Sequence, residues 1–264
     1  MLKVNKITKT FNAGTVNEKL ALNKVDLQLN EGDFITIIGG NGAGKTTLLN
    51  CVAGVHPVDS GNIFIDNIDV TRLPEHKRAR LLGRVFQDPM MGTASSMGIE
   101  ENLALAYRRG QRRGIKWGIT HAERDYYREE LKTLELGLED RLATKVGLLS
   151  GGQRQALTLL MATMKKPRLL LLDEHTAALD PKTAVKVLQL SGKIITDHNI
   201  TTMMITHNMR EAIKYGNRLV MMYEGRIILD IAGEEKKNLT VEYLMEKFEK
   251  ASGDELSSDR LLLG

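Results

Sequence analysis

The residues able to do chemistry lie in two glycine turns and at the ends of apolar runs. Gly39-Gly40-Asn41-Gly42-Ala43-Gly44-Lys45-Thr46 has the spacing of a phosphate-binding loop, and Leu149-Ser150-Gly151-Gly152-Gln153 is a second glycine turn opening a second helix. A triphosphate packs several negative charges together, so its host must offer many donors with no bulky side chains in the way. Gly39, Gly42 and Gly44 let the backbone curl with its N–H groups inward. A helix starting near Lys45 adds its positive dipole end. Lys45 can then reach the β- and γ-phosphates, and the Thr46 hydroxyl can ligate Mg²⁺.

The run Leu169-Leu170-Leu171-Leu172 ends in Asp173-Glu174. A carboxylate at Asp173 can hold Mg²⁺ through water. Glu174 follows at once and, by the alternation of strand side chains, points elsewhere, which makes it the candidate to polarise an attacking water. Alone, such an acidic pair reads as a solvated strand end; the phosphate loop upstream gives it a task. His207, after Ile205-Thr206, closes another predicted strand and can contact a γ-phosphate. Gln87, in Val85-Phe86-Gln87-Asp88-Pro89, offers an amide oxygen to a magnesium shell. Ser150 and the glycines after it present a hydroxyl and N–H groups to an anion; the plainer reading is a helix N-cap. A second anion site without a second phosphate loop suggests a cap for a nucleotide held elsewhere.

The elements that must position these groups are legible in outline. Val25, Leu27 and Leu29 alternate as in an antiparallel strand with one covered face. A strand over 33–38 feeds the phosphate loop, and a helix follows to about Val52. From about Asp88 to Lys166 the pattern turns helical, over 100–107 and 121–136, the latter with Ala122, Tyr126, Glu129, Glu130 and Thr133 around an amphipathic helix. The core resumes with the four-leucine strand, a helix from Pro181 to about Asp197 and a strand over 201–205. Strands over 215–222 and 226–231 join at Glu224-Gly225. A last helix runs over 239–250, and the tail after Ser252 is polar.

The chain has 264 residues, 42% hydrophobic, enough for one substantial core or a core plus a smaller lobe. No stretch approaches the roughly 20 apolar residues of a membrane span, and no apolar leader opens the sequence. One cysteine, Cys51, excludes an internal disulfide framework, fits a reducing compartment and reads as a small buried hydrophobe. A net charge of +4 does not by itself indicate nucleic acid. Positive charge gathers at Arg108, Arg109, Arg112, Arg113 and Lys116, before Trp117; a solvated loop, a membrane-proximal contact and a nucleic-acid contact all remain open there.

Taken together these residues resemble the ATP-binding-cassette (ABC) ATPases over nearly the whole chain. The phosphate loop at 39–46, Gln87, the signature at 149–153, Asp173-Glu174, Ala177-Ala178-Leu179-Asp180 and the switch His207 occur in the family's order. The resemblance implies an α/β fold: a P-loop NTPase core with a mostly parallel sheet, an N-terminal antiparallel β-subdomain and an inserted helical subdomain. The chain would be one nucleotide-binding domain, its core over 1–87 and 167–264 and its helical part over 88–166. ATP would lie on Gly39, Asn41, Gly42, Ala43, Gly44, Lys45, Thr46 and Thr47, with Phe11 stacked on adenine where tyrosine is commoner. Mg²⁺ would fall to Thr46, Gln87 and Asp173, and catalysis to Glu174 and His207 with Lys45 and Gln87.

The resemblance further implies a head-to-tail homodimer in which Ser150, Gly152 and Gln153 of one subunit close over the ATP of the other. It also implies separate membrane permease subunits, indirect dependence on an extracytoplasmic solute-binding protein, a place on the cytoplasmic face of the membrane, and no nucleic-acid partner. Met90, Met91, Ala94 and Met97 would give the permease an adaptable apolar surface; their plain alternative is core packing. The stretches 174–181 and 90–97 look like those of a subgroup associated with amino-acid uptake, including aromatic amino acids. A cytosolic cassette acting on nucleic acid or ribosomes and a nucleotide-gated envelope-assembly scaffold are the competing readings. His175, where the family often has proline, and Ala177, where it often has serine, depart from the pattern.

Overall fold

The computed structural model describes residues 1–111 and 118–252. Arg112, Arg113, Lys116, Trp117 and the tail after Ser252 lie outside them. In chain order the elements are β1 (Leu2–Phe11), β2 (Lys19–Leu29), β3 (Phe34–Ile38), α1 (Lys45–Ala53), β4 (Ser60–Ile65), β5 (Ile68–Asp69) and α2 (Glu75–Arg78). There follow β6 (Leu82–Val85), α3 (Ile99–Tyr107), α4 (His121–Lys132), a 3₁₀ turn (Val146–Leu148), α5 (Gly151–Thr163), β7 (Leu169–Asp173) and α6 (Pro181–Asp197). The last are β8 (Thr202–Ile205), α7 (Met209–Lys214), β9 (Arg218–Tyr223), β10 (Arg226–Ala232), α8 (Gly233–Lys237) and α9 (Val241–Ser252). They form two compact units, one built from Met1–Leu81 and the chain from Asn199 on, the other from Leu82–His198.

In the first unit an antiparallel sheet has the order β2-β1-β4-β5. Leu2, Val4 and Ile7 of β1 and Leu22, Val25, Leu27 and Leu29 of β2 are buried, as expected of strands with one covered face. β3 is buried at all five residues and runs parallel to β8 on one side and β9 on the other. A strand covered on both faces needs this unbroken apolar character. β10 pairs antiparallel with β9. Residues 215–217, expected within a strand, form a loop instead: Gly216 has φ 74° and the Asn217 carboxamide accepts the Phe34 N–H at 3.0 Å.

α1 is held at its far end by Arg78, whose side chain is almost fully buried. Its Nη1 donates to the Cys51 and Val52 carbonyls at 2.8 and 2.9 Å, Nε to Leu73 O at 2.7 Å and Nη2 to Thr71 O at 3.1 Å. One guanidinium thus satisfies two of the orphan carbonyls that end the helix. Arg78→Met should destabilise the chain by about 3 kcal/mol, because it strands several buried carbonyls. Chemical denaturation would read this; a midpoint within error of wild type would contradict it. Cys51 on the same helix is buried, and burial pushes its thiol up to about 11, as suits an inert core residue.

In the second unit β6 and β7 pair in parallel from Leu82 with Leu169 to Val85 with Leu172. α3, α4 and α5 share an apolar core that includes Ile99, Leu103, Tyr127, Leu131, Ala156 and Leu160. α4 stops at Lys132, short of the expected 136, and its buried residues are Tyr127 and Leu131. Tyr126 still packs on the rim, its ring centroid 5.3 Å from that of Tyr107.

Candidate active site

The phosphate loop connects β3 to α1 within the first unit. Gly39, Gly42 and Gly44 have φ of 148°, 78° and 98°. Two of them have a second reason to lack a side chain: a Cβ on Gly39 would sit 2.2 Å from Met222 O, and one on Gly44 2.5 Å from Ala21 O. Lys45 is buried and curls back over the loop, donating from Nζ to the carbonyls of Gly39 at 2.7 Å and Gly40 at 3.0 Å. The Thr46 side chain is exposed in the first turn of α1, and that of Thr47 is partly so.

Two supports of this loop escaped the sequence reading. The β9–β10 turn props it from behind, Gly225 N donating to Ala43 O at 3.0 Å and Asn23 N to Gly225 O at 2.9 Å. Lys19 stands beside it: a Cβ on Gly42 would meet Lys19 Nζ at 3.0 Å. Lys19 pairs across the sheet with Phe11, the last residue of β1. Phe11 is partly exposed, with its ring edge-on to His56 at 5.2 Å. Lys19, Asn23, Asn41, Gly42 and Arg226 help to line an open cavity of about 860 Å³. The register opposite Phe11 was the available signal for Lys19.

His207 leaves the end of β8 at the same edge of the strand set, since Ile205 pairs with Ile37, two residues before Gly39. Its ring is exposed, but its backbone is tied down on both sides. Thr206 N donates to Ile37 O at 3.2 Å, and Thr206 Oγ1 donates to Glu211 at 2.8 Å. Asn208 caps α7 through Glu211 N at 3.2 Å. The first unit therefore gathers the phosphate loop, Phe11 and His207.

The second unit carries the other candidates. β7 delivers a buried Asp173 carboxylate, with the Arg84 guanidinium 3.9 Å away. Glu174 is not part of the strand, so strand alternation does not set its direction. The strand ends at Asp173, and Glu174 takes φ 43°, opening a turn closed by Ala177 N donating to Glu174 O at 3.0 Å. Gln87 is exposed just beyond β6. Gln155 holds that strand end, its Nε2 donating to Phe86 O at 2.9 Å. A glutamine amid the helical pattern of α5 gave no sequence signal of this contact.

At the second glycine turn Ser150 and Gln153 form a reciprocal capping box. Ser150 Oγ accepts from Gln153 N at 3.3 Å, and Ser150 N donates to Gln153 Oε1 at 3.2 Å. Gly151 remains exposed at the helix start, whereas Gly152 is buried against α6, where a Cβ would come 2.1 Å from Thr183 Cγ2. Gly152→Ala should therefore cost about 1–3 kcal/mol through overpacking. Adding Thr183→Ser removes the opposing methyl and should restore most of it in thermal melts; an unrelieved double variant would contradict this contact. Met90 and Met91 are about half exposed, at 53% and 52%, so neither is a core methionine.

A glycine loop between a buried parallel strand and a helix, with a lysine folded over it, defines a phosphate-loop nucleoside triphosphatase. The ABC transporter family profile matches residues 22–177. A tyrosine transport ATP-binding protein of Clostridioides difficile is 43% identical over 251 residues, 95% of this chain and 100% of that protein. The methionine import ATP-binding protein MetN of Bartonella henselae is 33% identical over 86% of this chain, which spans 64% of MetN. Among solved structures, the dimeric ATP-binding cassette MJ0796, bound to ADP and Pi after hydrolysis, aligns with a TM-score of 0.74 at 31% identity, covering 88% of this chain and 98% of that one. The chain belongs to the ABC transporter family and is an ATPase of the cassette type.

Proposed function

We propose that this chain is the ATP-hydrolysing subunit of an amino-acid importer, with an aromatic amino acid such as tyrosine as cargo. The supporting observation is the 43% identity that runs the whole length of the tyrosine transport ATP-binding protein. Among the described residues no helix is long and apolar enough to cross a membrane. As for the relatives named as transport or import ATP-binding proteins, membrane permease subunits would carry the cargo, and the exposed Met90 and Met91 are suited to meet them from the cytoplasmic face. A solute-binding protein on the other side would deliver the cargo. The chain acts as one nucleotide-binding domain, with 88–166 as the helical part turned to the permease.

In this reading the N–H groups from Gly39 to Thr47 cradle the phosphates, Lys45 exchanges its two loop carbonyls for phosphate oxygens, and Phe11 stacks on adenine. Glu174 accepts a proton from water as the water oxygen attacks the γ-phosphorus and the bond to the bridging oxygen breaks, leaving ADP and phosphate. His207 holds the γ-phosphate and orients that water. Thr46, Gln87 and Asp173 each offer an oxygen donor of the kind Mg²⁺ takes; they would hold the ion, which would neutralise charge on the triphosphate. Among the described residues no cluster of three His, Cys, Asp or Glu groups could hold a metal by itself. Mg²⁺ usually takes one or two protein carboxylates together with substrate phosphates, so the nucleotide would complete its shell.

Ser150, Gly152 and Gln153 close over the nucleotide of a second copy, head to tail. ATP favours the closed dimer because only the triphosphate contacts both copies, and hydrolysis releases it. Co-reconstitution with the cognate permease and binding protein in vesicles tests this function. Tyrosine uptake should require internal ATP and fail with ADP; ATP turnover unaffected by the permease, with no ATP-dependent uptake of any amino acid, would refute it.

A further inference from the structure

His175, the residue after Glu174, is held by its surroundings. His175 is buried in the second unit, 1% exposed. Its Nε2 lies 2.9 Å from Ser191 Oγ on α6, and Ser191 Oγ donates its proton to Val187 O at 2.8 Å. A hydroxyl has one proton, so Ser191 can only accept from the imidazole, and Nε2 carries the hydrogen. The ring is thus fixed in one tautomer and one orientation, tied to the third turn of a 17-residue helix. Burial pushes its pKa down to about 4, which keeps it neutral at physiological pH.

Glu174, one residue earlier, holds φ 43°. For a non-glycine residue this left-handed conformation costs free energy comparable to one buried hydrogen bond and persists only where the surroundings over-determine it. Ala177 N closes the turn from one side. The His175–Ser191 bond secures it from the other.

We propose that His175 is a positioning residue for hydrolysis: anchored to Ser191, it fixes the Glu174 backbone and so the direction of the Glu174 carboxylate. This rests on Glu174 as the group that activates water.

The test is a double-mutant cycle on the full chain, with ATP turnover, ATP affinity and melting temperature measured for wild type, Ser191→Ala, Glu174→Gln and the double variant. Ser191→Ala should stay folded at the assay temperature, bind ATP within twofold of wild type and lose about ten- to a hundredfold in kcat, the scale of a displaced catalytic group. In the Glu174→Gln background the same change should alter the residual turnover by less than twofold, because no carboxylate remains to be aimed. Ser191→Ala with wild-type kcat, or an equal loss in both backgrounds, overturns the positioning role while leaving Glu174 as the base. Glu174→Gln turning over at the wild-type rate overturns the reading of Glu174 and this inference with it.

Discussion

Glu174→Gln should bind ATP as wild type does and turn it over about 10²- to 10⁴-fold more slowly, the range expected on removing a general base. The amide keeps the shape of the side chain but cannot accept the proton from water. Glu174 lies outside β7, in a turn fixed by its own carbonyl and by the residues after it, so the substitution leaves the buried strand and Asp173 unchanged. With the γ-phosphate retained, the closed dimer should accumulate. Gel filtration in ATP should show a dimer for this variant, where wild type returns to monomer as ATP is consumed. A monomer throughout, or turnover near wild type, would contradict the assignment.

Lys45→Ala should act one step earlier, on binding itself. The buried ammonium is held by two loop carbonyls, which phosphate oxygens would replace in the proposed complex. Losing a charge-assisted hydrogen bond of roughly 1.5–3 kcal/mol weakens binding by about ten- to a hundredfold. Titration with a fluorescent ATP analogue measures this directly. Thermal stability gives a second readout: ATP at a hundredfold excess over Kd stabilises wild type by about 2.7 kcal/mol, and only about 0.4 kcal/mol remains if Kd rises a hundredfold. Undiminished ATP-dependent stabilisation in Lys45→Ala would contradict the role of this lysine.

What the sequence displayed and what it concealed follow a physical line. The phosphate loop was legible because its glycines, lysine and threonine are contiguous and each answers a local backbone or charge requirement. The buried strands β3 and β7 were legible from unbroken apolar runs, and the start of α6 from Pro181. The short strands β4, β5 and β6 drew no notice, since brief segments of mixed character carry little periodic signal. Contacts between distant positions were hidden altogether. Nothing near Arg78 points to the end of α1, and nothing near Gly225 points to Ala43. Alternation was no guide to Glu174, because it requires a strand and the strand has already ended there. Gly152 shows that one residue can answer two demands, a bare N–H face at a helix start and room for Thr183.

The central claim is that each nucleotide is served by Lys45 of one chain and the Ser150–Gln153 turn of another. Mixing two inactive variants tests it most directly. Lys45→Ala disables the phosphate loop. Gly151→Asp places a negative charge in the exposed first turn of α5, which suits the helix but repels a γ-phosphate. At ATP near the wild-type Kd each variant alone should have little activity, since every site in its homodimer is damaged. In a mixed head-to-tail pair one site combines both damaged parts and the other combines both intact ones, so an equal mixture should recover about a quarter of wild-type ATP turnover. Recovery on mixing is the predicted result; a mixture as inactive as its components, with mixed dimers demonstrably formed, would contradict the split site.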